Sequence, residues 1–345
     1  MRVTDPSHRA PRKSEPLVTV VIPARNEKDH IERCLSSIQR QTHSTLQIIV
    51  IDADSDDGTD DIVRSVASTD DRVELVANPD RLIPIGLNKA VDATRGEWLV
   101  RVDAHSTIPE DYVERALRHL TAKKWGGVGG RKDGVGLTPQ GRAVAAAMGS
   151  RFGVGGSVYH YGTEVQIVDH IPFGCYPVDV IKEVGGWNEE LAVNQDFEFD
   201  HRVQEAGYQL LFDPELRIDW HSRQSIAALF RQYRRYGKGK TEVMRRHPKS
   251  TKARHLAAPV LVAALLSALV MAPFRPKWSV AVVGNYLVSS LAASAITARS
   301  MEPKAALDSA LLPPAFAAMH IGWGIGFFEG WLHQLRRHRS SNKTQ

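Results

Sequence analysis

Glu97-Trp98-Leu99-Val100-Arg101-Val102-Asp103-Ala104-His105 is the stretch that decides the fold. An apolar run of strand length breaks off on a carboxylate and an imidazole two residues apart. In extended backbone, residues i and i+2 face the same way, so Asp103 and His105 would leave the strand end on one side. The same grammar occurs three times upstream. Leu17–Ala24 is a β-branched run followed by Arg25-Asn26-Glu27. Leu46–Asp52 runs into Asp52-Ala53-Asp54-Ser55-Asp56-Asp57-Gly58, and Val73–Asn78 into Pro79-Asp80-Arg81. Helical patterns fill the gaps, over Asp29–Gln39, from about Asp60, over Ile83–Thr94 and from near Pro109. Strands alternating with helices predict right-handed crossovers and an α/β domain built on a mainly parallel sheet flanked by helices. Ligands of such sheets bind at the carboxyl ends of the strands, which here are all polar and mostly acidic.

The turns argue against two nucleotide-binding classes. Pro23-Ala24-Arg25-Asn26-Glu27 lacks the glycines that let backbone approach a pyrophosphate in a nicotinamide dinucleotide site. No Walker A pattern occurs, which argues against a P-loop ATPase. An acidic edge repels a bare diphosphate, and a divalent cation resolves that conflict by bridging carboxylate to phosphate. A hard oxygen and an imidazole, as Asp103 and His105 offer, suit Mn²⁺ and tolerate Mg²⁺. Asp103 could equally be a helix cap or turn residue, since Pro109 follows closely.

Farther along, Gly126–Gly156 is glycine-rich and reads as a mobile connection with a short helix around Arg142–Met148. Phe197–Ala206 reads as a helix stopped by Gly207, and Ser250 marks the expected end of a catalytic domain spanning 17–250. Charge is placed unevenly: the net +5 conceals that residues 256–332 carry few charges. Leu256–Ala272 and Trp278–Ala298 are uncharged and long enough for a membrane hairpin joined by Pro273–Lys277. Leu307–Leu332 holds Pro313-Pro314, Asp308 and Glu329 and reads as a broken span or an interfacial helix. Buried core helices are the competing reading of all three. Arg231–Arg254 carries ten Lys/Arg against Glu242 alone, which fits contact with anionic lipid on the cytoplasmic side better than a nucleic-acid patch. Residues 333–345 form a basic tail. Cytoplasmic placement of both ends requires an even number of spans, whereas the candidates number three. Residues 1–16 are polar, lack an apolar segment, and read as a disordered tail. Cys34 and Cys175 have no metal or disulfide spacing and read as buried free thiols.

Val20-Val21-Ile22-Pro23-Ala24-Arg25-Asn26-Glu27, Asp52 to Thr59, Arg101 to His105 and Asn194-Gln195-Asp196-Phe197-Glu198-Phe199 together resemble glycosyltransferase family 2, a family with the GT-A fold. His320 to Phe327 is similar to the C-terminal segment of a membrane-associated subgroup. The resemblance implies an inverting transfer from a UDP-sugar to a hydroxyl of a saccharide, in cell-surface or extracellular polysaccharide synthesis at the cell membrane, and the apolar spans with the basic stretch before them add the expectation that this saccharide is lipid-linked. It implies that Pro23, Arg25, Glu27, Asp52, Arg81 and Asn88 contact the nucleotide. It implies that Asp103 and His105 replace the metal-binding D-x-D motif, with His221 as a third ligand of Mn²⁺ or Mg²⁺. Asp196 matches the general base, which must take the acceptor proton, although the same residue could cap a helix. Gly174, Glu198 and Arg235 fall on the acceptor side, and Phe152 to Gly156 reads as an acceptor loop. Gln232-Tyr233-Arg234-Arg235-Tyr236 resembles a degraded Q-x-x-R-W motif, or a basic amphipathic helix at the membrane. Two rivals carry different predictions: a nucleotidyltransferase would release pyrophosphate, and a non-catalytic nucleotide-sugar-binding membrane protein would tolerate loss of Asp196.

Overall fold

The computed structural model describes residues 15–301 and 303–341, with residues 303–306 and 337–341 described by backbone alone. The expected tail over 1–16 therefore lies almost wholly outside the described residues, as does the end of the basic tail.

β1 (Val18–Ala24), β2 (Leu46–Asp52), β3 (Val73–Ala77) and β4 (Trp98–Arg101) lie parallel, with α1 (Ile31–Gln39), α2 (Thr59–Ala67) and α3 (Ile83–Ala93) as crossovers. Each strand falls within a residue of the expected bounds. The β1 pairings, Val18 with Leu46 through Ala24 with Asp52, bring the strand ends level, so the polar turns share one edge. Alternation along β1 sends Val18, Val20 and Ile22 into one core with Ile31, Leu35, Ile38 and Val63. Val21 enters the opposite core with Leu87, Ala90, Ile181 and Phe199. These side chains are essentially buried, and each fully buried Val, Ile or Leu contributes about 1.5–3 kcal/mol. Two opposed cores explain why β1 and β2 read as continuous apolar runs.

After β4 the sheet becomes mixed. β5 (Ser106–Thr107), α4 (Tyr112–Ala122), β6 (Gly127–Val135), α5 (Pro139–Met148), α6 (Arg151–Val154), β7 (Gln166–Val168), β8 (Cys175–Pro177), α7 (Val178–Glu183), α8 (Gln195–Glu205) and β9 (Leu210–His221) complete it. The strand order is β3-β2-β1-β4-β8-β6-β9-β5, with β7 beside β9. β8 is antiparallel to β4 and β6, while β6 and β9 run parallel.

The glycine-rich segment corrects the sequence reading. Gly127 to Val135 is a nine-residue strand, not a mobile connection. Its glycines serve close packing: a Cβ at Gly129 would stand 2.5 Å from Ile171 Cβ, and one at Gly130 would stand 1.7 Å from the Leu216 carbonyl oxygen. Cys34 and Cys175 are buried and unpaired, as expected.

α9 (Ile226–Arg246) leads to α10 (Ala253–Met271), α11 (Pro276–Ala298) and α12 (Leu312–Ser341). The last three are long and apolar enough to cross a membrane. α10 and α11 bury only 22% and 17% of their apolar windows, against 44% for α12. The difference reflects what each helix touches. α10 and α11 meet along small polar residues, with the Ser279 hydroxyl donating to the Ala268 carbonyl at 2.7 Å. α12 is seated on α9. Gly322, Gly326 and Gly330 place bare backbone against Phe230, Arg234 and Lys238, and Gly237 of α9 meets the Trp323 carbonyl in return.

α12 also departs from the expectation of a broken span. Pro313 and Pro314 stand in its first turn, where a missing N–H costs nothing. The charges that weakened the stretch are partnered by the catalytic domain: Glu329 with Arg234 at 2.6 Å, and Asp308 with Arg142 at 2.6 Å.

Candidate active site

A cleft of about 460 Å³ opens where the end of β4 meets α8, β6, β9 and the membrane-side helices. Its floor is an ion-pair triad. Arg101, the last residue of β4, is 4% exposed. Its Nε and Nη2 donate to Asp103 Oδ1 at 3.2 and 2.9 Å, and its Nη1 donates to Asp196 Oδ1. Burial works against the guanidinium charge, but Asp103 and Asp196 outweigh it and hold the Arg101 pKa above its ordinary value. Neither Asp103 Oδ2 nor Asp196 Oδ2 has a hydrogen-bond partner among the described residues, so each carboxylate keeps one oxygen for a ligand.

Asp196 reaches this place through local structure. Asn194 takes a left-handed conformation (φ 59°) and anchors its side chain on the Tyr236 carbonyl at 3.1 Å. α8 then starts, and Asp196 lies in its first turn, where the helix dipole favours a carboxylate. Asp196 is therefore not the cap residue.

The proposed metal turn sits beside it. His105 lines the cleft, and its Nδ1 pairs with Glu27 Oε1 at 2.9 Å. His221 is tied to His105 through backbone, its N–H donating to the His105 carbonyl at 3.2 Å. Its ring lies against His30, with centroids 4.9 Å apart, and accepts from Arg33. Burial, then Arg33, lowers the His221 pKa to about 4. Among the described residues, Asp103, His105 and His221 do not converge as one ligand cluster; Arg101, Glu27 and Arg33 respectively engage them. The fit to a divalent cation rests on the free Asp103 Oδ2 and the neighbouring Glu27–His105 pair, an oxygen and imidazole donor set suited to Mn²⁺ or Mg²⁺.

The other sequence-derived residues divide. Pro23 is the next-to-last residue of β1, and Arg25 and Glu27 follow its end next to the β2 turn: the Asn26 N–H donates to Ser55 Oγ at 3.0 Å and that of Glu27 to Thr59 Oγ1 at 2.9 Å. Asp52 organises its own turn, accepting from Ser55 Oγ at 2.6 Å and Ser55 N–H at 3.1 Å. Arg81 is exposed and paired with Asp54 through Nε at 3.0 Å. Arg235 lines the cleft, as do Phe152, Gly153, Val154 and Gly155.

Three further residues are engaged by their own neighbours. Asn88 spends its amide on Trp187 and Glu189, donating at 2.9 Å to each and accepting from Trp187 N–H at 2.8 Å. Glu198 is 1% exposed and engaged by Arg202 at 2.9 Å and His247 at 3.0 Å. Gly174 contributes backbone, its carbonyl accepting from Arg101 N–H at 3.2 Å.

Sequence reasoning missed Arg101, Lys132 and Lys240. Lys132 points from β6 into the cleft, with Nζ 3.6 Å from the Trp220 ring centroid and 4.8 Å from that of Phe173. Burial lowers its pKa to about 8, with the Asp103 charge acting in the opposite sense. Strand alternation after Gly127 would have exposed the signal. Arg223, Arg235 and Arg254 add further cations to the lining, so positive groups outnumber the two carboxylates and the cleft suits an anionic substrate.

The glycosyl transferase family 2 model matches residues 19–172, and the glycosyl transferase family group 2 model matches residues 98–297. The chain is similar to succinoglycan biosynthesis protein ExoA of Rhizobium meliloti, with 29% identity over 327 residues, 92% of this chain and 96% of the relative. It is similar to glycosyltransferase AglE of Haloferax volcanii, with 25% identity over 239 residues, 66% of this chain and 74% of the relative. Among solved structures, the mannosyltransferase PcManGT from Pyrobaculum calidifontis, in complex with GDP-Man and Mn²⁺, superposes with a TM-score of 0.58 at 19% identity. That match covers 92% of this chain and 87% of the other, and supports the GT-A fold.

Proposed function

This chain belongs to glycosyltransferase family 2, and from that premise we propose an inverting transfer of a sugar from a UDP-sugar to a hydroxyl of a lipid-linked saccharide. The observation that carries the reading is Arg101, which holds Asp103 and Asp196 on one buried guanidinium. The donor diphosphate belongs at Asp103, His105 and Glu27, and the acceptor hydroxyl at Asp196. The uridine belongs over the turns at Pro23, Arg25, Asp52 and Arg81.

A divalent cation bound at Asp103, with His105 and Glu27 beside it, would neutralise the departing diphosphate. Asp196 accepts the proton of the attacking hydroxyl as that oxygen displaces the diphosphate from the opposite face of the anomeric carbon. Arg101 fixes the direction of the Asp196 carboxylate, so little reorganisation accompanies the step. Lys132 supplies a further positive charge to the same cleft. α10, α11 and α12 hold the domain at the membrane, with the basic stretch from Arg231 to Arg254 on the cytoplasmic surface. The place in polysaccharide synthesis follows the relatives, which include a succinoglycan biosynthesis protein and a glycosyltransferase.

Membranes containing the chain, incubated with a panel of labelled UDP-sugars and Mn²⁺, are expected to yield labelled lipid extract and UDP. Excess EDTA is expected to abolish the label. Transfer that survives EDTA overturns the metal assignment, and release of pyrophosphate in place of UDP overturns the reaction class.

A further inference from the structure

At its membrane end the cleft holds charge that the reaction at Asp196 does not use. Gln232, Tyr236 and Lys240 stand one turn apart on α9 and all line the cavity. Gln232 Nε2 donates to the Tyr236 hydroxyl at 2.8 Å, while Gln232 Oε1 is buried without a donor. Lys240 is 2% exposed. Its Nζ lies 3.1 Å from the centroid of the Phe197 ring, and no oxygen accepts from it among the described residues. At the start of α10, Lys252 and Arg254 share one carboxylate, Asp169, with Lys252 at 2.7 Å. Three basic side chains thus share the surroundings of one carboxylate. Burial, reinforced by Arg254, lowers the Lys240 pKa to about 6, and a bound anion would favour its charged form.

Beyond Lys240 the cavity wall turns apolar, with Phe152 and Val154 of α6, Ala257 and Ala258 of α10, and Met319 and Trp323 of α12. The cleft therefore runs from carboxylates, through unbalanced cations, to a greasy wall made by helices long enough to span a membrane. A saccharide joined through phosphate to a hydrocarbon has the same sequence of chemistries.

We propose that Lys240 and Arg254 bind a phosphate of the lipid-linked acceptor, with its hydrocarbon running along Ala257, Ala258, Met319 and Trp323 and its sugar reaching Asp196. The assignment rests on the transferase reading above and adds the group by which the acceptor is gripped. Gln232 Oε1 accepts from a hydroxyl of the sugar next to the phosphate.

The test is equilibrium binding to the full chain in detergent, with geranyl diphosphate, inorganic pyrophosphate and Mn²⁺–UDP as separate probes. Geranyl diphosphate is expected to bind more tightly than pyrophosphate. Lys240→Gln is expected to weaken geranyl diphosphate about 10–100-fold, the range for a lost hydrogen bond to a charged group, and Lys240→Arg to restore it. Mn²⁺–UDP binding stays unchanged throughout. Ala257→Trp, at an exposed position on the apolar wall, weakens geranyl diphosphate but not pyrophosphate, and decides the matter alone if Lys240→Gln fails to fold. Unchanged binding in Lys240→Gln overturns the proposal. So does a parallel loss of Mn²⁺–UDP, which makes the pocket the donor's, or equal affinity for pyrophosphate, which removes the lipid. Because the readout is binding, a chain that holds geranyl diphosphate yet transfers no sugar contradicts the transferase reading and leaves this site standing.

Discussion

Arg101 and Lys132 share one cleft, and burial treats them differently. Arg101 is flanked by two carboxylates that hold its charge. Lys132 has aromatic rings for neighbours, and its pKa falls to about 8. Its charge is present below about pH 8 and lost above. If that charge helps to hold the donor diphosphate, donor KM rises as pH passes 8, and Lys132→Met gives a high KM with no such rise. Initial-rate kinetics from pH 6.5 to 9.5, set against the variant, check this. The stability sign also follows. The unfolded lysine titrates near 10.5, so between about 8 and 10.5 the unfolded chain binds more protons. Lys132 then destabilises the fold at neutral pH, and that cost is relieved as pH rises through this window. Asp103 and Asp196 were legible because a carboxylate at a strand end and one at a helix start stand out in sequence. Their joint hold on Arg101 was not, since ninety-odd residues separate Asp196 from its partner (|i−j| = 95).

The elements beside the site were legible where period decides. β1 and β2 announce themselves through β-branched runs, and the crossover helices through their amphipathic spacing. β6 did not, because its glycines follow from tight packing against Ile171, Tyr176 and Leu216, residues remote in sequence. α12 was underestimated for a related reason: the partners of Glu329 and Asp308 lie on other helices. The glycine stripe of α12 yields a prediction at this scale. A Cβ at Gly326 would stand 1.9 Å from the Arg234 carbonyl oxygen. Gly326→Val is expected to push α12 off α9 and cost about 1–3 kcal/mol, the range for overpacking. The melting temperature of the detergent-solubilised variant checks it, with Gly284→Val, on an open face of α11, as the control that melts like the parent.

The whole molecule joins a GT-A domain, through α9 and α12, to three helices long and apolar enough to cross a membrane, and its cleft lies at that joint. Sequence composition separates the two parts, yet it cannot reveal that cleft residues come from both. Phe152 of α6 makes the link concrete: its carbonyl accepts from His320 Nε2 at 2.8 Å, and the Tyr286 hydroxyl of α11 donates to His320 Nδ1 at 3.1 Å. The cleft and the apolar helices thus share residues, and the full chain in membranes is the right object for the decisive assay. That assay compares Asp196→Asn with the parent chain for transfer from a UDP-sugar and for Mn²⁺–UDP affinity. The account predicts that transfer falls by about 10²–10⁴-fold, the worth of a positioned base, while Mn²⁺–UDP affinity is retained. Parental transfer rates in Asp196→Asn would contradict it.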